Sequence, residues 1–181
     1  MKTLLLSAGN IQLVDMLLSS PESVADYFRR NKTHLEPSMP EREEAFYSHE
    51  FWRVQFAAYK ALRVQGGALR YVLLDGAKVV GQIGFDQIIR GPFQACYLGY
   101  SMDVDYQGRG LMKEALRGAL EYVTGEFGLH RVMANYEPDN VRSARLLKSL
   151  GFEREGYARK YLKLNGVWKD HILTSYLAER A

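Results

Sequence analysis

One short junction constrains the fold of this chain more than any other stretch. An apolar, strand-forming run (Ala95 to Val104) meets an amphipathic, helix-forming run (Leu111 to Phe127) through Gln107-Gly108-Arg109-Gly110-Leu111-Met112. Two glycines at a strand-to-helix turn let several backbone N–H groups point into one small space, and the positive end of the helix dipole points there too. The turn therefore suits an anion such as a pyrophosphate. Taken alone, a glycine pair at such a junction is more often a tight turn and nothing else.

The surrounding pattern gives the junction a setting. Ile11 to Leu18 reads as a first strand. Ser20 as N-cap and Pro21 at the first helical position start a helix that ends near Asn31. After Pro37 and Pro40, Glu41 to Val64 reads as one long helix, with Glu41, Glu43 and Glu44 in its first turn and Trp52, Phe56 and Tyr59 on one face. Leu69 to Leu74 and Lys78 to Phe85, joined at Asp75-Gly76, form a hairpin, and Gly91-Pro92 separates it from the strand Gln94 to Val104. A short strand (Arg131 to Tyr136) and a helix (Pro138 to Leu150) follow. Tyr157 to Leu164 and Val167 to Tyr176, joined at Asn165-Gly166, close the chain as a second hairpin. The order implies an α/β fold of the α+β type with a mixed sheet, in one domain over residues 1–181.

Composition excludes several classes. One cysteine, Cys96, allows no internal disulfide and suits a reducing cytoplasm. The apolar run within residues 1–9 is too short for a signal peptide, and no window reaches the length of a membrane span. A net charge of +3, without a dense basic cluster, does not argue for a nucleic-acid site. His34, His49, His130 and His171 have no metal-ligand spacing, so no metal is expected. Oligomeric state leaves no signal in the sequence.

A second motif lies some thirty residues past the glycine turn: Asn140-Val-Arg-Ser143-Ala-Arg-Leu-Leu147-Lys-Ser-Leu-Gly151-Phe152. In isolation, Asn140 is a helix cap and Ser143 a solvated or capping hydroxyl. Paired with Gln-x-x-Gly, however, the segment resembles the GCN5-related N-acetyltransferases (GNATs), and within them the RimJ/RimL-type enzymes, on the RimJ side. Those enzymes acetylate the N-terminal alanine of ribosomal proteins. The similarity runs through Arg90 to Ser101, Gln107 to Ala115, His130 to Asn140 and Leu150 to Thr174, and is looser over the first sixty residues.

The resemblance implies a mostly antiparallel mixed sheet flanked by helices, whose central strands splay apart to admit acetyl-coenzyme A. The pantetheine arm would pair with the backbone of Tyr100, Met102 and Val104. The pyrophosphate would lie on the amides of Gln107, Gly108, Arg109, Gly110, Leu111 and Met112, where Met112 replaces the usual small residue. Many relatives carry a tyrosine acid seven residues after the motif asparagine; here that position is Leu147. Ser143 is the expected substitute, with Asn140 holding coenzyme A or a water. Where relatives often have a glutamate base this chain has Tyr97, a relay or a packed aromatic; Glu137 is a second candidate, or an exposed carboxylate at a helix start.

An α-amino group with a pKa of about 8 is already partly neutral near pH 7, so positioning matters more than a strong base. Backbone N–H groups around Tyr100 to Met102 are candidates for the oxyanion. Cys96 reads as packing. Arg90, Phe93 and Tyr97 are expected to flank the acceptor channel, and the loop 35–40 has Ser38 where relatives often have an aromatic. The leading expectation is acetylation of a protein N-terminus, an alanine of a ribosomal protein, in the cytoplasm. The alternatives are acetylation of a small amine (polyamine, aminoglycoside or amino-acid-like toxin) and a ribosome-associated binding factor with weak or lost acetylation.

Overall fold

The computed structural model describes residues 4–5 and 10–178; the N-terminal run read against a signal peptide lies almost wholly outside them. Among the described residues, eight strands form one sheet in the order β1-β2-β3-β4-β5-β6-β8-β7. They are β1 (Leu4–Leu5), β2 (Ile11–Asp15), β3 (Leu69–Asp75), β4 (Lys78–Ile89), β5 (Ala95–Met102), β6 (Arg131–Met133), β7 (Glu153–Leu164) and β8 (Val167–Leu177). All neighbours are antiparallel except β5 and β6. That parallel pair covers only Ala95–Tyr97 against Arg131–Met133, after which the two strands part. The mixed, mostly antiparallel sheet with splayed central strands is thus present.

Five α-helices among the described residues accompany it: α1 (Pro21–Arg30), α2 (Lys32–Leu35), α3 (His49–Val64), α4 (Leu111–Thr124) and α5 (Val141–Ser149). The central strands are buried on both faces, which is why they read as nearly continuous apolar runs. Along β3 the alternation is visible: Leu69, Tyr71 and Leu73 pack with Leu116, Leu120 and Leu147 of α4 and α5. Val72, pointing the other way, packs with Tyr27, Phe28, Trp52 and Tyr59 of α1 and α3. Phe28 stacks on Trp52 with ring centroids 5.0 Å apart.

Several elements are shorter than expected, each for a local reason. The first strand stops at Asp15, whose carboxylate accepts from Leu17 N–H (3.0 Å) and turns the chain into a 3-10 helix. The long helix expected from Glu41 begins only at His49. Ser48 caps it by accepting from Phe51 N–H (3.1 Å), and Glu44–Tyr47 is a separate 3-10 turn that buries Phe46 and Tyr47. Glu41, Glu43 and Glu44 therefore do not occupy its first turn. The strand expected to Val104 ends at Met102, because Asp103 caps another 3-10 turn, Val104–Tyr106. Helix α4 ends at Thr124 rather than Phe127, with Gly125 as its C-cap. In the last hairpin Asn165 (φ 42°) and Gly166 (φ 76°) adopt the two left-handed conformations that an Asn-Gly turn favours.

Candidate active site

Where β5 and β6 diverge, a cleft of about 1600 Å³ opens across the sheet. Its floor is the part of β5 beyond Tyr97, which pairs with β4 on one side, Tyr100 opposite Ile83 and Met102 opposite Gly81, but has lost β6 on the other. Tyr100, Met102, Val104, the whole turn Gln107–Met112, Asn140 and Ser143 line the cleft. The fold thus brings eleven of the twelve expected site residues to one space. Tyr97 is the exception.

At one end stands the glycine turn. Gly108 and Gly110 both have left-handed backbones (φ 75° and 76°), and a Cβ built on either would meet no atom within 4 Å. Helices α1, α3 and α5 are capped by the side chains of Ser20, Ser48 and Asn140. Helix α4 is different: Gly110 offers no side-chain cap, and the first intrahelical bond runs from Glu114 N–H to Gly110 O (3.1 Å). The amides of Leu111, Met112 and Lys113 thus precede the helical ladder and stand at the positive end of the dipole. His34, Arg109, Lys113, Arg142 and Arg145 line the same end. The Gln107 side chain links two of them, its Nε2 lying 2.6 Å from His34 Nε2 while its Oε1 accepts from Arg142. Open space, uncapped amides and cations fit a nucleotide pyrophosphate. Met112 does not obstruct it, because its side chain is buried in the core below α4.

Val104 and Asn140 are more committed to structure than expected. Val104 N–H already donates to Asn31 Oδ1 (3.1 Å), so it is not free to pair with a pantetheine arm. Asn140 Oδ1 accepts from Ser143 N–H (3.0 Å), which makes it the cap of α5 and fixes the helix turn that carries Ser143. Leu147, one turn further on, is buried in the core and does not face the cleft.

At the other end are groups that the sequence reading missed or misjudged. Tyr97 is absent from the cleft wall because it is still paired with Met133 of β6, before the strands part; its hydroxyl interacts with that of Tyr161, which also accepts from Asn135 Nδ2 (3.1 Å). Arg90 and Phe93 are likewise elsewhere, Arg90 lying 4.3 Å above the Phe127 ring. Glu137 is not an exposed cap: its side chain is 16% exposed, lines the cleft and lies 3.4 Å from Lys169 Nζ of β8. Asp86, held by Arg70 Nε (3.1 Å) and Nη2 (2.9 Å), adds a second carboxylate. The sequence signal for it is Gly84, where a Cβ would come within 3.0 Å of Asp86 Oδ2. The loop holding Pro37, Ser38 and Met39 closes this end and is tied to the last hairpin by Asn165 N–H donating to Met39 O (2.9 Å).

Cys96 is fully buried and burial pushes its thiol up to about 12, so it stays protonated and unreactive. Among the described residues no cluster of His, Cys, Asp and Glu is placed to hold a metal, and no helix is long and apolar enough to cross a membrane.

A gap between parted strands with an anion cradle at one end suits a long nucleotide-bearing co-substrate, of the kind that acetyltransferases bind. Residues 10–153 match the acetyltransferase (GNAT) domain, and the chain belongs to that family. It is 42% identical over 154 residues to the [Ribosomal protein uS5]-alanine N-acetyltransferase of Escherichia coli, covering 84% of this chain and 79% of the relative. Among solved structures, the ribosomal-protein-S5-alanine acetyltransferase from Vibrio fischeri superposes with a TM-score of 0.94 at 36% identity, covering 99% of this chain and 98% of that one. Mycobacterium smegmatis RimJ in complex with CoA-disulfide gives 0.86 at 27%, covering 98% and 87%. The protein is an N-acetyltransferase that uses acetyl-coenzyme A.

Proposed function

We propose that the acceptor is a protein N-terminal α-amino group, that of an N-terminal alanine of a ribosomal protein, acetylated in the cytoplasm. The observation that carries this reading is the 42% identity, over 84% of the chain, to an enzyme named for that acceptor. The carboxylate end of the cleft supports it: Asp86 and Glu137 attract an ammonium group, while Arg70 and Lys169 keep either carboxylate from holding it as a tight ion pair.

In this reading the glycine turn holds the pyrophosphate and the free edge of β5 at Tyr100 to Met102 holds the pantetheine and the thioester oxygen. Neutral amine nitrogen attacks the carbonyl carbon, the carbon–sulfur bond breaks, and Ser143 stabilises the departing thiolate by a hydrogen bond. Asn140 sets the position of Ser143 through the helix cap. Glu137 takes the place of Tyr97 as the group nearest the incoming amine's proton. The test is an acetyl-transfer screen of Ala-initiated peptides against polyamines, aminoglycosides and amino-acid analogues. Turnover on the peptides is expected; turnover on small amines alone would sink this assignment.

A further inference from the structure

Strand β5 carries three hydroxyls, and two are engaged away from the reaction. Ser101 Oγ bonds Tyr27 at 2.8 Å, and Tyr97 faces Tyr161. The third, the Tyr100 hydroxyl, is buried and has no hydrogen-bond partner among the described residues, although its residue lines the cleft. A phenol left in that condition is costly, and such atoms mark sites completed by a ligand or by movement. Tyr100 lies three residues beyond Tyr97, the last β5 residue paired with β6, so the phenol stands where the strands have parted. Ser143 of α5 is the side chain that stands against it in the cleft, and burial pushes the phenol up to about 12, so it remains a protonated donor.

Ser143 can accept what Tyr100 offers. Its backbone N–H is taken by Asn140 Oδ1, which leaves the hydroxyl to the cleft. A serine hydroxyl has one proton and two lone pairs, so a donor behind the oxygen directs its proton forward. We propose that Tyr100 is a positioning residue for acetyl transfer, donating to Ser143 Oγ so that the Ser143 proton points at the thioester sulfur. The phenol absent from α5, where Leu147 packs into the core, is in effect supplied from β5 across the cleft. This rests on Ser143 standing at the sulfur. As the carbon–sulfur bond breaks, its electron pair stays on sulfur, stabilised by the Ser143 O–H. The surplus proton of the new amide nitrogen leaves by way of Glu137 to water, and the thiolate takes its proton from water on release. Tyr100 itself stays protonated throughout the neutral range and loses nothing in the cycle.

The test compares Tyr100→Phe, Ser143→Ala and the double variant, following thiol release with any amine that the parent turns over, so that a wrong acceptor assignment leaves it intact. Coenzyme A affinity and the thermal midpoint are measured on each protein. Tyr100→Phe should lower kcat by about ten-fold and leave the acetyl-coenzyme A KM and coenzyme A affinity within about two-fold. In the Ser143→Ala background the same change should cost less than about two-fold. A kcat for Tyr100→Phe within about two-fold of the parent overturns the proposal, as does an equal loss in both backgrounds or a loss shared with coenzyme A affinity. If Ser143→Ala keeps full kcat while Tyr100→Phe does not, the placement of Ser143 itself is overturned.

Discussion

Replacing Gly110 with valine isolates the anion cradle from ordinary folding strain. Gly110 has φ 76°, and a Cβ there meets nothing within 4 Å, so the protein itself imposes no clash. What remains is the left-handed backbone, which costs an L-residue about 1–2 kcal/mol. For a domain of this size that lowers the thermal midpoint by about 2–8 °C. If the backbone relieves this strain by rotating, the amides of Leu111 and Met112 turn away from the cleft. Loss of one hydrogen bond to a charged phosphate costs about 1.5–3 kcal/mol, so the coenzyme A Kd should rise by about 10- to 150-fold. Gly91→Val is the control, because Gly91 (φ 70°) is equally left-handed and equally open but does not line the cleft. Calorimetric titration of coenzyme A into parent and both variants decides the matter. A Gly110→Val protein that binds coenzyme A like the parent, or a Gly91→Val protein that loses as much, refutes the pyrophosphate assignment.

Ser143→Ala should lower kcat by about ten- to hundred-fold while coenzyme A affinity, measured by titration, stays within about two-fold. Glu137→Gln should raise the KM for a peptide acceptor or lower kcat by about ten-fold without changing the KM for acetyl-coenzyme A, read from steady-state kinetics with each substrate varied. Leu147→Tyr should add no turnover and should lower the thermal midpoint, because enlarging a packed core residue costs about 1–3 kcal/mol. Asp103 gives a pH signature. Burial alone would raise its pKa, but bonds from Asn31, the Asp105 N–H and Arg30 outweigh it and hold the carboxyl below its ordinary value. A carboxylate lowered on folding stabilises the native state above its unfolded pKa and loses that contribution as pH falls through the folded one, below about pH 4. Asp103→Asn should therefore be less stable than the parent near pH 7, and the gap should narrow in thermal melts below pH 4.

The sequence revealed elements where the signal was local and missed their ends where side chains compete with the backbone. Asp75-Gly76 and Asn165-Gly166 placed both hairpins, because a left-handed turn residue is a property of two adjacent positions. Asp15, Ser48, Asp103 and Asn140 each ended a strand or delayed a helix by accepting a backbone N–H. In composition these capping residues look like many others, so hydropathy ran through them: Glu41 to Val64 was periodic enough for one helix, although Phe46 and Tyr47 belong to a separate turn.

The two ends of the cleft differ in the same way, and the difference bears on how such enzymes are read. The donor end is built from backbone within one contiguous hexapeptide, so its chemistry is written in glycines and survives as a motif. The end that we propose takes the acceptor is lined by Ser38, Arg70 on β3, Asp86 on β4, Glu137 after β6 and Lys169 on β8. No spacing rule connects those positions; only the sheet order does. The proposed reaction centre lies between the two and shows both behaviours: Ser143 belongs to its motif, whereas the unpartnered Tyr100 hydroxyl meets the same cleft only through the fold. If Tyr100 acts on Ser143 as proposed, a phenol is supplied from a strand in place of the next turn of the helix, and the leucine at position 147 does not imply lost catalysis. A missing catalytic side chain in a motif is therefore weak grounds for calling such a fold inactive until the opposite wall of the cleft has been searched for the same functional group.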